Sequence, residues 1–479
     1  PLGLWPALFV AWPALALLID AAPSPRAAAR TGWLAGFGFF LSGVWWIANA
    51  FLVEAERIWW HAPLAPAAVA ALAAALAAFW AAGFALARAI WPQGWARALA
   101  LGAAMTLAEL ARGVALTGFP WALQAYAWVD TPVMQAAAAT GSQTLAGLTV
   151  AAAAAVAAGP RAAVVAALAL GAAWSGGAAR LADAPPTADG PLIRLVQPNV
   201  PQRDRWRPEL MVPIFHDLLA LSRSEGAADP ALVVWPEVAV PFLYLESPEA
   251  VALAAAATPP GAALAVGTVR AEDEGGTRRL FNSLLFQDGA GALLAAYDKR
   301  RLTPFGEYVP YVSVLGALGL GTLGEGLSGF APGARPPLVA LPGLPPAAAL
   351  ICYEMVFPIE VRAATRGAAW MLQVTNDSWF GDSGGPRQHL AIARVRAIET
   401  GLPVARAANT GVSAMIDAYG RIRDSLPLDT RGRIDSPLPP PAPATLYARV
   451  GDGPPLALWL LLAGAATLVG AWRRQGAPR

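Results

Sequence analysis

The sequence predicts an α-helical transmembrane bundle joined to a layered α/β domain. Three observations support this. The chain is 56% hydrophobic and only 14% charged, against roughly 25% charged residues in an ordinary soluble domain. The apolar excess is concentrated in about the first 180 residues, and mean hydropathy over the chain is +0.47. The stretch from about 185 to 452 has the composition of a normal globular protein, with strand-like runs alternating with helical patterns. A net charge of +2 with no long basic run gives no sign of a nucleic-acid partner, and none is expected. One cysteine in 479 residues excludes an internal disulfide framework and a multi-cysteine metal site.

Taken in order, six apolar stretches fill residues 1–180, at about 2–20, 32–53, 63–87, 95–116, 133–158 and 161–178. A seventh follows at about 455–472. Each approaches the ~20 residues needed to cross a bilayer core. Connections alternate in charge. Arg26 and Arg30, Arg88 and Arg97, Arg161, and Arg473, Arg474 and Arg479 mark one side, whereas Glu54, Glu56, Arg57 and Asp130 mark the other. The positive-inside rule then places the α/β domain outside the cytoplasm. It also places Pro1 outside, so one further upstream helix is expected.

The α/β domain is bounded by Pro185-Pro186 and by the prolines from Pro437 to Pro443. Strand-like runs lie at 192–199, 231–235, 262–270, 282–287, 292–298, 346–352, 368–375 and 404–417, and helix-like patterns at 208–224, 247–257, 358–366 and 387–400. The apolar segment Tyr308 to Leu327 is interrupted by five glycines, so it is expected to be an arm or loop rather than a span.

The only cysteine, Cys352, ends the apolar run Ala349-Leu350-Ile351. A thiol where a strand gives way to a loop can reach a substrate while the sheet fixes its backbone. Two other strand-like runs end in partners for it, Val233-Val234-Trp235-Pro236-Glu237 and Tyr297-Asp298-Lys299. Glu237 is the candidate base, its affinity for a proton raised by apolar neighbours. Lys299 is the candidate cation, expected to lower the thiol pKa and to stabilise an oxyanion, with the Tyr353 backbone N–H as second donor. His61, His216 and His389 have no metal-ligand spacing. Asp382, Ser383 and His389 lack a Gly-x-Ser-x-Gly elbow, and no phosphate-binding glycine loop opens a helix. No cofactor or metal is expected.

Residues 192–420 resemble the carbon-nitrogen hydrolase domain of the nitrilase superfamily. The likeness rests on Trp235-Pro236-Glu237, Tyr297-Asp298-Lys299 and Ile351-Cys352-Tyr353-Glu354, with Leu195-Val196-Gln197-Pro198-Asn199, Pro304-Phe305-Gly306-Glu307-Tyr308, Thr375-Asn376-Asp377-Ser378-Trp379 and Ala408-Asn409-Thr410. With the flanking spans and Thr117-Gly118-Phe119-Pro120-Trp121, the whole resembles the apolipoprotein N-acyltransferase family. The resemblance implies a nitrilase-like α-β-β-α sandwich outside the membrane. It implies acyl transfer from the sn-1 position of a phospholipid such as phosphatidylethanolamine to the amine of a diacylglyceryl-cysteine on an apolipoprotein. The catalytic group would be Glu237, Lys299 and Cys352, with Glu307, Tyr353 and Glu354 in support, the two carboxylates fixing the lysine. Trp206 and Trp379 would contact lipid. A monomer in the bacterial inner membrane, with its catalytic domain on the periplasmic side, is expected. The family's additional N-terminal helix again points to a start downstream of the natural one. The alternative reading is a membrane-anchored amidase of the nitrilase type that hydrolyses a small-molecule C–N bond.

Overall fold

The computed structural model describes residues 3–53, 59–186, 189–223, 226, 229–311, 329–334 and 338–475. Most of the expected arm, residues 312–327, lies outside the described residues. The chain forms two compact units.

One unit comprises Pro1–Ala184, Arg387–Gly401 and Pro443–Arg479. Its N-terminal helices are α1 (Leu8–Ala21), α2 (Pro25–Val44), α3 (Ala65–Ala89), α4 (Ala96–Val114), α5 (Ala137–Ala154) and α6 (Pro160–Ala182). Ser24 caps α2 by accepting from the Ala27 N–H at 3.2 Å, with Pro25 at the first helical position. Among the described residues four segments are long and apolar enough to cross a membrane: Pro25–Phe51, Ala62–Ala89, Pro132–Ala158 and Pro160–Ala182. Of the other three expected spans, two are the shorter apolar helices Trp5–Ala21 and Gly453–Leu468. The third is α4, which carries a buried ion pair between Glu109 and Arg112. The Trp80 indole N–H also donates to Glu109 at 2.9 Å. Charges satisfied inside a bundle need not face lipid.

The helix Gly384–Thr400 interrupts the α/β sequence. From Arg387 its residues belong to the helical unit, where Val395 and Ile398 pack with Trp128, Met134 and Leu145. Gly141 explains how α5 accommodates it. At φ +72° Gly141 breaks the helix, and an added Cβ would lie 2.5 Å from the Tyr447 ring. The break turns the Ser142 N–H toward Glu399, which accepts it at 2.6 Å and pairs with Arg396 at 3.0 Å.

The other unit comprises Pro185–Pro386 and Leu402–Ala442. It contains two sheets. The first is built from β1 (Leu192–Gln197), β2 (Leu232–Val234), β3 (Ala263–Glu274), β4 (Thr277–Gln287), β5 (Leu293–Asp298) and β11 (Gly432–Pro437), in the order β11-β1-β2-β3-β4-β5. The second is built from β6 (Ala347–Ile351), β7 (Trp370–Thr375), β8 (Val404–Ala408), β9 (Ser413–Ile416) and β10 (Ile422–Leu426), in the order β10-β9-β8-β7-β6. Strands β1 to β3 and β6 to β8 are parallel, and the remaining pairings are antiparallel. Inner faces of both sheets meet in one core that includes Ile193, Leu232, Phe286, Ile351, Trp370 and Met415. On the outer face of the first sheet, α7 (Pro208–Arg223) and α8 (Pro248–Ala257) contribute Phe215, Leu218 and Ala254, packed against Val233 and Trp235. Apolar faces on both sides of a sheet require a cover on each, which is why the parallel strands are uniformly apolar.

Two differences from the sequence expectation concern the last four strands. The run 404–417 is two antiparallel strands, β8 and β9, because Asn409 and Gly411 reverse the chain. Strands β10 and β11 are polar and largely edge-like, so they lack an apolar signature.

Candidate active site

The strands β2, β5 and β6 each end just before one expected residue, β5 running the same way as β3 through two antiparallel pairings. Glu237 follows β2, Lys299 follows β5, and Cys352 follows β6. Alternation along β5 turns Tyr297 and Lys299 to the same face. Asp298 faces away and is held by Arg270 at 2.8 and 3.0 Å. The Lys299 N–H donates to the Asn282 carbonyl at 2.8 Å, which extends the β4 pairing to the functional residue.

Lys299 is 1% exposed and sits between two carboxylates, with its Nζ 3.0 Å from Glu237 and 3.0 Å from Glu307. Asn282 makes the same bridge from its side-chain amide, donating at 2.8 Å to each carboxylate. The other Glu237 oxygen accepts the Asn376 backbone N–H at 2.8 Å, just past β7. Glu307 also accepts the Thr303 N–H at 2.7 Å. Burial opposes the Lys299 ammonium, but Glu237 and Glu307 outweigh it and hold its pKa well above the ordinary lysine range. Burial pushes Glu307 up, yet Lys299, Asn282 and the Thr303 N–H bring it below the ordinary carboxylate range.

Cys352 has φ +51°, and Val238, next to Glu237, has φ +44°. Left-handed backbone at side chains other than glycine is sparsely populated and persists only where surrounding structure enforces it. Burial raises the Cys352 thiol well above the ordinary cysteine range, and the charge of Glu237 raises it further. Lys299 lowers it, as expected from the sequence, but is outweighed. Cys352 at rest is therefore a thiol, and any reaction through its sulfur requires that the proton be removed.

Glu354 departs from the expected role. It does not bind the ammonium. Its carboxylate accepts the Tyr297 hydroxyl at 2.7 Å and the backbone N–H groups of Ile351, Arg300 and Arg301 at 2.7, 2.8 and 3.2 Å. It thus ties the end of β5 to the end of β6. Tyr353 is buried edge-on against Phe357, with ring centroids 4.9 Å apart. Trp206 is 43% exposed and Trp379 half-buried. Asn282 and Asn376 were not expected. The available signal was Asn282-Ser283, a polar pair opening an otherwise apolar strand run.

Two sheets with a carboxylate, a lysine and a cysteine at their strand ends define a carbon-nitrogen hydrolase domain, and that family's model matches residues 192–442. The model of the apolipoprotein N-acyltransferase N-terminal domain matches residues 1–156. The apolipoprotein N-acyltransferase of Rhodopseudomonas palustris is 41% identical, over 96% of this chain and 90% of its own. That of Bradyrhizobium diazoefficiens is 42% identical, over 97% and 91%. Among solved structures, an amidase from Nesterenkonia sp. covers 56% of this chain and 95% of its own, at 21% identity and a TM-score of 0.37. The chain belongs to the apolipoprotein N-acyltransferase family.

Proposed function

We propose that this membrane protein transfers a fatty acyl chain from the sn-1 ester of a phospholipid to the N-terminal amine of a diacylglyceryl-cysteine, through a thioester at Cys352. The observation that carries this reading is the buried ammonium of Lys299, held by two carboxylates, in a cysteine-containing site of a chain with helices able to cross a membrane. Glu237 takes the thiol proton as the sulfur attacks the ester carbonyl. The oxyanion that forms is stabilised by Lys299 and by the Tyr353 backbone N–H. When the C–O bond breaks, Glu237 returns the proton to the departing lysophospholipid alkoxide. In the second half Glu237 takes a proton from the acceptor amine, the amine attacks the thioester, and the C–S bond breaks. The thiolate recovers the proton, so ester and amine become alcohol and amide. Glu307 and Asn282 position the lysine, and Glu354 positions the nucleophile turn. Trp206 and Trp379 contact lipid. The reaction takes place on the periplasmic side of the bacterial inner membrane, with phosphatidylethanolamine as donor and the enzyme as a monomer.

The test is intact-protein mass spectrometry after incubation with phosphatidylethanolamine. An added fatty-acyl mass, labile to hydroxylamine and absent from Cys352→Ala, is expected. Absence of the adduct together with turnover of small amides would replace acyl transfer by hydrolysis.

A further inference from the structure

The turn that carries Trp206 contains three arginines, and the one out of water has no partner among the described residues. Arg203 and Arg207, with side chains 66% and 55% exposed, reach Asp204 at 4.0 and 3.4 Å, and Arg207 also reaches Glu209 at 2.7 Å. Arg205 is 4% exposed. Among the described residues its guanidinium meets no hydrogen-bond acceptor and forms no ion pair. Burying a cation without a partner is strongly unfavourable, and buried charges ordinarily have one.

The turn that carries this cation is tied to Glu237. Arg205 closes the 3-10 turn Gln202–Asp204, its N–H donating to the Gln202 carbonyl at 3.3 Å. The Gln202 side chain accepts from the Asn376 amide at 2.7 Å, and the Asn376 backbone N–H holds Glu237 at 2.8 Å. These hydrogen bonds tie the turn that carries Arg205 to Glu237, and among the described residues the guanidinium has no partner. Burial lowers the pKa of the Arg205 guanidinium to about 10, and the charge of Glu237 offsets part of that.

We propose that Arg205 recognises the phosphodiester of the acyl donor. This rests on the phospholipid reading above. A phosphodiester carries one negative charge and lies a glycerol backbone away from the sn-1 carbonyl, and the guanidinium fork matches its two oxygens. The acceptor offers an amine, which a cation repels. Arg205 thus anchors the donor by the one charged group that every glycerophospholipid shares, whatever its head group.

The test uses the full chain in detergent micelles and follows acylation of Cys352 by mass. Two donors are compared, a phospholipid and an uncharged p-nitrophenyl ester of the same fatty acid. In Arg205→Gln the ratio of phospholipid to phosphate-free acylation should fall roughly 30-fold, as for a lost charge-assisted hydrogen bond. The loss should lie in KM more than in kcat, and Arg205→Lys should recover part of it. Acylation of the variant by the phosphate-free ester also reports that it is folded. An equal loss with both donors, or no loss with either, overturns the role for Arg205 alone. Failure of the unmodified protein to take an acyl group from phospholipid, while the ester still labels it, overturns the phospholipid reading first.

Discussion

At the scale of single residues, the site works through a balance of charges rather than through one unusual group. Two carboxylates and one ammonium are buried together, and the thiol beside them is held protonated by burial and by Glu237. Glu237 therefore opposes the thiolate at rest, whereas in the proposed mechanism it assists the thiolate during reaction, and these two effects separate on substitution. Glu237→Gln removes a charge that raises the thiol pKa, so alkylation of Cys352 by iodoacetamide at pH 8 should become several-fold faster. Acyl-enzyme formation should fall by about 10²–10⁴-fold, the usual range for a lost general base. In the unmodified protein the alkylation rate should keep rising above pH 8.5, the ordinary cysteine value, because the thiol pKa is raised. If alkylation and acylation fell in parallel, Glu237 would be a scaffold and not a base. Cys352, Glu237 and Lys299 stood out in the sequence because each lies within three residues of the end of a strand-like run, and the structure brings Glu237 and Lys299 into contact. Asn282, Asn376 and Arg205 did not, since their roles depend on what faces them across the sheets. Glu354 was read as a partner of the lysine because sequence proximity to Cys352 does not tell which way a carboxylate turns.

At the scale of elements, the strands matter because they fix where each functional loop begins. Gly267 in β3 shows how narrow the fit is. A Cβ there would fall 1.9 Å from the Pro236 carbonyl oxygen, a backbone atom that cannot rotate away. The Ala239 N–H also donates to the Gly267 carbonyl at 2.8 Å, which clamps the turn that carries Glu237. Gly267→Ala should therefore lower stability by about 1–3 kcal/mol, the range for overpacking. It should also reduce acylation at least tenfold by displacing Glu237. Gly289→Ala, where an added Cβ meets nothing within 4 Å, is the control and should stay within about 0.5 kcal/mol. Thermal melts with acylation rates measure both, and equal behaviour of the two variants would dissolve the claim. Most elements were legible because their apolar runs stop at Pro, Gly or charge. The edge strands were not. The sequence Gly-Arg-Ile-Asp-Ser-Pro of β11 becomes a strand through pairing with β1, more than 200 residues away in sequence, by way of pairs such as Leu195 with Ile434. No local pattern carries that information.

At the scale of the whole molecule, the reaction demands that site and substrates lie on one side of the membrane. Charge in the connections is the feature that selects the side, because arginines resist translocation. Arg161 lies in a connection that the rule keeps in the cytoplasm, and Asp130 in one that it sends outside. Both side chains are exposed, and Asp130 is 64% exposed beside its partner Arg394. The loss of such a surface pair is worth roughly 1 kcal/mol or less, so a substitution at either position leaves the fold in place. The chain contains one cysteine, so Cys352→Ser supplies a thiol-free background in which a single introduced cysteine reports its own location. In intact spheroplasts a membrane-impermeant maleimide should label Asp130→Cys and leave Arg161→Cys unlabelled until lysis. Labelling of position 161 but not 130 before lysis would invert the topology. That would put the arginine-marked connections outside and the α/β domain in the cytoplasm, where an acceptor translocated before its modification could no longer reach Cys352.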